Sequence, residues 1–179
     1  MKSSNIYACD FETTVYKNQT KTEVWSASFV KLHDEKVTIL GNISDFISHF
    51  ENIGTDCILY FHNLKFDGSF ILDYLKRNSK YKEASYEVER LSLIDEKVER
   101  IIKLNKPKNL DPYTYTYSIS DRGQWYTITI KSKKHTIEIR DSLKLLPFTL
   151  KQIGSAFDTK HKKLEMEYTG FRFPNCQIS

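Results

Sequence analysis

The strongest constraint on the fold is a short apolar segment that passes through a polar turn into a helical pattern. Residues 57–61 have the sequence CILYF, which has the length and composition of a buried strand. From residue 68 to residue 78, apolar side chains recur at helical spacing, and the pattern ends at Asn78. A buried strand that leads directly into a helix predicts an α/β fold, in which helices cover a sheet.

The residues before this unit predict three strands and one helix. The predicted strands are residues 6–10, 24–32 and 36–41, the last two joined across a tight turn at residues 33–35. Ser44 is a good N-cap for a short helix that ends at Gly54. The first half of the chain therefore predicts the order β-β-β-α-β-α.

An insertion is predicted at about residues 80–112. Within it, apolar residues of the charged segment 82–104 recur at the spacing of an amphipathic helix. We therefore expect a helix there.

The residues after the insertion predict a ribbon of strands and a further helical segment. Period-two alternation at residues 113–120, 124–130 and 135–141 predicts a three-stranded antiparallel ribbon. Residues 142–157 resume a helical pattern, which Pro147 either opens or interrupts.

The composition is that of a single globular domain over residues 1–179. Hydrophobic residues make up 40% and charged residues 28% of the chain, so one real core is expected. The 27 Lys and Arg against 23 Asp and Glu give a net charge of +4, which mildly favours a polyanionic partner. The three cysteines are widely spaced, which predicts no disulfide framework and no zinc site and fits a reducing cytoplasm. The sequence predicts neither a signal peptide nor a membrane span.

Two carboxylates, Asp10 and Glu12, follow the first predicted strand. Because side chains alternate along a strand, both project to one side while Phe11 turns into the core. Two carboxylates on one face are costly unless they are solvated or neutralised by cations, and Mg²⁺ prefers such oxygen ligands. The alternative interpretation is an unspecific Asp-x-Glu at a strand end, with Thr13 and Thr14 capping a turn.

The turn after CILYF supplies a third acid and groups suited to nucleic acid. Asp67 is expected at the start of a helix, where free backbone N–H groups and the helix dipole favour anions. His62 and Asn63 can hydrogen-bond to a phosphate, sugar or base, and Phe66 offers an aromatic face for stacking. The alternatives are a surface loop for His62 and core packing for Phe66. Three acids at one sheet edge can hold two metal ions that promote phosphodiester cleavage.

Five sequence segments carry a resemblance to a known family. They are CDFETT (9–14), YFHNLKFDGSFI (60–71), GQWY (123–126), DSLKLLPF (141–148) and KLEMEY (163–168). Together they resemble the 3′-to-5′ exonuclease domain of protein-primed family B DNA polymerases from small linear-genome bacteriophages and related mobile elements. The order and spacing of HNLKFDG and DSLKxLPF are highly specific, and the resemblance covers most of the chain outside the insertion.

The resemblance implies an RNase H-like (DnaQ-type) α/β fold, with a mixed sheet flanked by helices. It also implies two-metal removal of nucleotides from a single-stranded DNA 3′ end. The implied ligands for Mg²⁺ or Mn²⁺ are Asp10, Glu12 and Asp67, which together with Lys163 are the implied catalytic residues. The implied contacts to nucleic acid are Thr13, His62, Asn63, Phe66, Ser142, Leu143 and Tyr168. For Ser142 the alternative is a helix N-cap, and for Lys163 it is a solvated basic run.

The chain departs from the family pattern at the third motif. That motif is a Tyr-x-x-x-Asp on a following helix, which is expected shortly after Ile178 and Ser179, and the sequence ends before it. An incomplete set of carboxylates predicts weakened catalysis. Two functions are therefore expected. One is a proofreading exonuclease domain of a phage or mobile-element polymerase, acting in the cytoplasm of a bacterial host. The other is a truncated, nuclease-weak derivative that binds nucleic acid or a protein, for example a host defence component.

Overall fold

The computed structural model describes residues 5–16, 18–84, 87–93, 96–102, 110–120 and 122–159. The strands in this part of the chain are β1 (Asn5–Thr13), β2 (Val24–Lys31), β3 (Val37–Leu40), β4 (Cys57–Phe61), β5 (Lys82–Glu83), β6 (Glu87–Leu93), β7 (Glu96–Ile102), β8 (Thr114–Ile119), β9 (Trp125–Lys131) and β10 (Thr136–Asp141). The helices are α1 (Ile43–Asn52), α2 (Leu64–Arg77) and α3 (Leu150–Ala156), with a 3₁₀ turn at Ser142–Lys144.

Eight of the strands form one mixed sheet. Their order is β3-β2-β1-β4-β10-β9-β8-β5, and β6 pairs with β7 in a separate hairpin. The central strand β4 runs parallel to both β1 and β10, whereas β2, β3, β8 and β9 join by antiparallel pairing. The predicted α/β class, a mixed sheet flanked by helices, is confirmed.

The core lies between one face of this sheet and the two longer helices. Alternate residues of β1 are buried, and Phe11 meets both Phe46 of α1 and Phe61 of β4 with ring centroids 5.0 Å apart. Phe46 and Phe61 are fully buried. Burial of one such side chain contributes roughly 1.5–3 kcal/mol, so this aromatic cluster fixes α1 on the sheet.

The start of α1 differs from the prediction. Asn42 is the N-cap, since its Oδ1 accepts a hydrogen bond from the backbone N–H of Asp45 at 2.8 Å. Ser44 lies inside the helix, and its hydroxyl is 3.2 Å from the hydroxyl of Tyr74 on α2. The prediction of Ser44 as the cap is wrong because a neighbouring residue with an equally suitable side chain reaches the free N–H group.

Helix α2 starts at Leu64, four residues earlier than residue 68, where the prediction began it. Asn63 precedes it in the left-handed conformation with φ of 70°, which asparagine tolerates better than most residues. Leu64 is fully buried, so the apolar face of the helix extends one turn further toward β4 than predicted. Asp67 nevertheless lies in the first turn, as expected.

The helix predicted at 82–104 is wrong. Residues 82–83 form the short strand β5, and β6 and β7 form an antiparallel hairpin. The register places Val88 opposite Ile101 and Glu89 opposite Arg100. Such pairs of residue types favour antiparallel pairing, which outweighed the apparent helical spacing of the apolar residues.

The predicted three-stranded ribbon is confirmed as β8, β9 and β10, and β10 joins it to the central sheet by pairing with β4. Beyond β10, Pro147 interrupts the helical pattern and does not open a helix. It separates the 3₁₀ turn from α3, which begins at a capping box between Thr149 and Gln152.

Candidate nucleic-acid site

The candidate site lies where the three parallel strands end. Cys9, Phe61 and Asp141 form the last level at which β1, β4 and β10 are paired. β4 and β10 stop there, but β1 continues to Thr13. One residue further along each chain segment come Asp10, His62 and Ser142. These three predicted site residues therefore lie side by side at one edge of the sheet.

Asp10 and Glu12 lie on the sheet face opposite α1. They alternate along β1 with the buried residues Cys9 and Phe11, and Asp10 is exposed whereas Glu12 is partly buried. A break in the register with β2 occurs between Glu12 and Thr13. The predicted alternation of two outward carboxylates with an inward Phe11 is what the strand shows.

Asp67 approaches the same edge from α2, and its side chain is only 3% exposed. Burial first, then the negative charge of Asp10 and more weakly that of Glu12, raises its pKa to about 7. Hydrogen bonds from the backbone N–H groups of Asp67 and Phe11 oppose this rise. The N–H of Phe11 is available because β4 ends before reaching it.

The three carboxylates are thus close enough to interact electrostatically. The buried Oδ1 of Asp67 has no hydrogen-bond partner, which costs free energy unless a cation or donor reaches it. No group of three His, Cys, Asp or Glu side chains is arranged as a formed metal site in the described ranges. The chemistry of the donor set nevertheless fits a hard divalent cation, which takes carboxylate oxygens.

His62 and Ser142 contact each other across the strand ends. The hydroxyl of Ser142 donates to the backbone carbonyl of Phe61 at 3.2 Å, and His62 Nδ1 lies 3.1 Å from the same Oγ. Because the hydroxyl has one proton, His62 Nδ1 is the donor in the second bond, and in the neutral ring Nε2 remains an acceptor. Two residues that lie 80 positions apart in the sequence form one polar surface.

Asp141 organises this surface, and the sequence analysis missed it. Its buried carboxylate accepts hydrogen bonds from the backbone N–H of Asn63 at 3.1 Å and of Leu143 at 2.9 Å. Asp141 is also the N-cap of the 3₁₀ turn, so the alternative role of Ser142 as a cap is wrong. An aspartate directly after an apolar strand and before Ser-Leu was the available signal, since it is typical of a cap.

Of the remaining predicted nucleic-acid contacts, Thr13, Asn63, Phe66 and Leu143 lie near this edge of the sheet. The Phe66 ring is 48% exposed and lies edge-on to Phe70 with centroids 5.3 Å apart, so it is not a core residue. Asn63 is exposed and its side chain makes no capping hydrogen bond. Thr13 and Leu143 are partly buried. Lys163 and Tyr168 lie outside the described residues.

Comparisons with known proteins identify the family. The model of the family described as DNA polymerase type B, organellar and viral, matches residues 51–175. This chain belongs to that family. It is 35% identical over 173 residues to the DNA polymerases of Bacillus phages PZA and phi29, and 30% identical over 164 residues to that of Streptococcus phage Cp-1. The alignments cover 91%, 91% and 84% of the chain and 25%, 24% and 23% of the relatives. This chain therefore spans about a quarter of the length of these curated relatives.

Solved structures agree with this assignment. The fold matches Phi29 DNA polymerase complexed with single-stranded DNA with a TM-score of 0.71 and 30% identity, covering 98% of this chain and 27% of that one. It matches the ternary complex with primer-template DNA and incoming nucleotides with a TM-score of 0.72 and 29% identity, covering 100% and 27%. The predicted RNase H-like fold of this chain is confirmed. No helix in the described part of the chain is long and apolar enough to span a bilayer.

Proposed function

We propose that this chain is a 3′-to-5′ exonuclease domain of a protein-primed family B DNA polymerase, acting on a single-stranded DNA 3′ end with Mg²⁺ or Mn²⁺. The observation that carries the proposal is Asp67, a buried carboxylate with an unpartnered oxygen whose pKa is raised to about 7 by burial and by two further acids. Perturbed acids of this kind concentrate at catalytic sites. We further propose that residues 1–179 act as one domain, in the cytoplasm of a bacterial host.

Asp10, Glu12 and Asp67 are the residues that would hold the cations. When bound, the cations supply the positive charge that favours attack of water on a phosphodiester and departure of the leaving oxygen. Asp67 is held in place by the N–H of Phe11, and its burial keeps water away from one side of the carboxylate. Lys163 is proposed to act near the same centre.

The polar surface at the strand ends would hold the DNA strand. His62 and Ser142 would offer hydrogen-bonding groups beside Asp10, among them the acceptor Nε2 of His62, and the exposed ring of Phe66 would offer a stacking surface for a base. Thr13, Asn63, Leu143 and Tyr168 complete the proposed set of contacts. This arrangement would orient the 3′ end toward the carboxylates.

Cleavage of a labelled single strand tests the catalytic part of the proposal. A single-stranded oligonucleotide with a label near its 3′ end is incubated with Mg²⁺ or Mn²⁺, and its shortening is followed on a gel. The double variant Asp10→Ala/Glu12→Ala is expected to lower the rate by about a thousandfold or more, because it removes two members of one catalytic unit.

The matched control removes two acids elsewhere. Glu35→Ala/Asp111→Ala has the same change in net charge but alters two exposed residues, and it should retain the wild-type rate. Equal trace degradation by the wild type and by Asp10→Ala/Glu12→Ala would show that this chain does not catalyse the reaction.

A binding module with little nuclease activity is the second candidate. The contact between His62 and Ser142 and the exposed Phe66 ring favour it, because these groups could contact DNA without the carboxylates. Its partner would be nucleic acid, the rest of a polymerase or a host protein. Phe66→Ala is expected to lower single-strand affinity by about 1–3 kcal/mol in a chelator-containing buffer. Unchanged affinity would remove Phe66 from both candidate functions.

A further inference from the structure

A second concave surface lies beside α2, outside the candidate site. It is a cavity of about 810 Å³ that opens between the outer side of α2, the loop that leads into β2, and the residues before α1. We call it the α2 cleft. Its walls include Thr14, Tyr16, Trp25, Phe70, Tyr74 and Arg77. Cavities of this volume are typical of ligand sites.

The α2 cleft is continuous with the candidate site along one face of the helix. Phe66, Phe70, Tyr74 and Arg77 follow one another at helical spacing, so they form a stripe that extends about 16 Å. Phe66 belongs to the candidate site, and Phe70 contacts it and lines the cleft. On the opposite wall, Thr14 directly follows Thr13 at the end of β1.

The walls combine aromatic rings with polar groups. The rings of Tyr16, Trp25, Phe70 and Tyr74 line the cavity, and Tyr16 is 40% exposed. The hydroxyl of Tyr74 accepts a hydrogen bond from the side-chain amide of Asn78 at 3.1 Å. Every nucleobase has a flat π face and hydrogen-bonding edges, so such walls suit bases of any sequence.

Two cations stand at the cleft in weak ion pairs. Lys21 pairs with Glu23 at 2.6 Å and Arg77 with Asp73 at 2.8 Å, and all four side chains are more than half exposed. Ion pairs exposed to this degree contribute little, so a phosphate can displace the carboxylate partner. Lys21 and Arg77 can therefore each contact a phosphate, while Glu23 and Asp73 balance their charge and the aromatic walls receive bases.

We propose that the α2 cleft binds nucleotides of the same DNA strand on the 5′ side of those held at the candidate site. The inference rests on the proposed function, since it requires a single strand whose 3′ end lies beside Asp10. Phe66 then stacks the terminal nucleotides, and Tyr16 and the α2 stripe hold the nucleotides that precede them. The cleft makes affinity depend on strand length.

The test compares two lengths of oligothymidylate in a chelator-containing buffer, where no cleavage occurs. Trp25 and Trp125 are the two tryptophans of the chain, so the variant Trp125→Phe leaves Trp25 as a fluorescent reporter inside the cleft. An unlabelled octanucleotide is expected to change Trp25 emission, whereas a trinucleotide should leave it unchanged. Isothermal titration calorimetry measures the affinity of both lengths, and the octanucleotide is expected to bind more tightly.

Tyr16→Ala, made in the same background, separates the cleft from the candidate site. It is expected to weaken octanucleotide binding by about tenfold, the loss of one stacked base, and to leave trinucleotide binding unchanged. Phe157→Ala is the matched control, since that ring is 66% exposed at the end of α3. It should bind both lengths as the parent protein does.

A charge variant gives a second measurement. Asp73→Asn/Arg77→Gln removes the ion pair without leaving an unpaired acid, and it should reduce the salt slope of octanucleotide affinity by about 0.7. Equal affinity for both lengths in the parent protein, or unchanged octanucleotide binding by Tyr16→Ala, would overturn the cleft proposal. If Phe66→Ala still weakens both lengths, the proposed function survives that result. If neither length binds, both proposals are overturned.

Discussion

The two faces of β1 show how one strand serves stability and chemistry separately. Tyr7, Cys9 and Phe11 point under α1 and are buried among aromatic rings. Asp10 and Glu12 alternate with them on the other face, next to the strand ends where Asp67 also arrives. The first set packs against aromatic rings. The second set adds to the effect of burial in raising the pKa of Asp67, whose Oδ1 has no hydrogen-bond partner.

This difference has a physical reason. Apolar side chains gain free energy by leaving water, so their packing improves as the fold closes. Carboxylates that approach one another lose free energy, and the loss is larger for the buried one. The face of β1 under α1 is therefore expected to stabilise the fold. The strand-end region, formed by Asp10, Glu12 and Asp67, is expected to destabilise it.

The largest effect is expected from the helix-covered face. Phe46→Ala removes a fully buried ring that contacts Phe11 and Phe50, and it should lower the free energy of unfolding by about 3–5 kcal/mol. Urea unfolding followed by circular dichroism measures this. The control Phe157→Ala should change it by no more than about 0.5 kcal/mol. A loss below about 1 kcal/mol for Phe46→Ala would show that this face is loosely packed.

At the strand ends, removal of the charge of Asp67 is expected to raise the stability of the fold, whereas removal of the Phe46 ring lowers it. The pKa of Asp67 rises from the ordinary value of 3.8 to about 7 on folding. Between these values the unfolded chain releases its proton and the folded chain keeps it, so stability falls as pH rises from about 4 to about 7 and stays low above that. The full shift corresponds to roughly 4 kcal/mol as an upper estimate.

Asp67→Asn should therefore raise the melting temperature at pH 8 and flatten its dependence on pH. Mg²⁺ should raise the melting temperature of the wild type at pH 8 but not that of the variant, since the cation relieves the same repulsion. Asp111→Asn, at an exposed acid, is the control and should behave as the wild type. A wild type that gains stability between pH 4 and pH 7 more steeply than Asp67→Asn would contradict this assignment.

A smaller loss in the free energy of unfolding is expected for a substitution where α2 meets the sheet. A Cβ added at Gly68 would lie 2.9 Å from Cζ3 and 3.0 Å from Cε3 of Trp125, so Gly68→Ala should cost about 1–3 kcal/mol. Gly41→Ala is the matched control, because nothing lies within 4 Å of its added Cβ. Combining Gly68→Ala with Trp125→Phe should recover part of the loss in a double-mutant cycle, and simple additivity would argue against this contact.

The smallest effect on stability is expected at Phe66. Its ring is nearly half exposed, so Phe66→Ala should change the free energy of unfolding by no more than about 0.5 kcal/mol while lowering DNA affinity. Thermal unfolding and single-strand binding, measured on the same preparation, test both parts. A stability loss above about 1.5 kcal/mol would show that Phe66 is part of the packed core, as Phe46 is, and not of an exposed surface at the strand ends.

Particular residues show how far the sequence could predict this molecule. The alternation of Asp10, Phe11 and Glu12 placed two carboxylates outward and a ring inward, because strand geometry alone fixes that pattern. The helix predicted at 82–104 failed because an apparent helical spacing does not contain the cross-strand partners that favour β6 and β7. Asp141 was missed because the N–H of Asn63 is brought to it only by the pairing of β4 with β10, although the N–H of Leu143, two residues further on, is a local partner.

The sequence by itself determined the α/β class, the alternation of side chains along β1 and which residues bring carboxylates to the strand ends. These depend on side-chain type and on spacing within a few residues. Only the tertiary structure decided that His62 contacts Ser142, that Phe66 remains exposed, and that Asp67 is buried beside Asp10. Burial and electrostatic coupling depend on which distant segments meet, and that is set by the order and register of strands in the sheet.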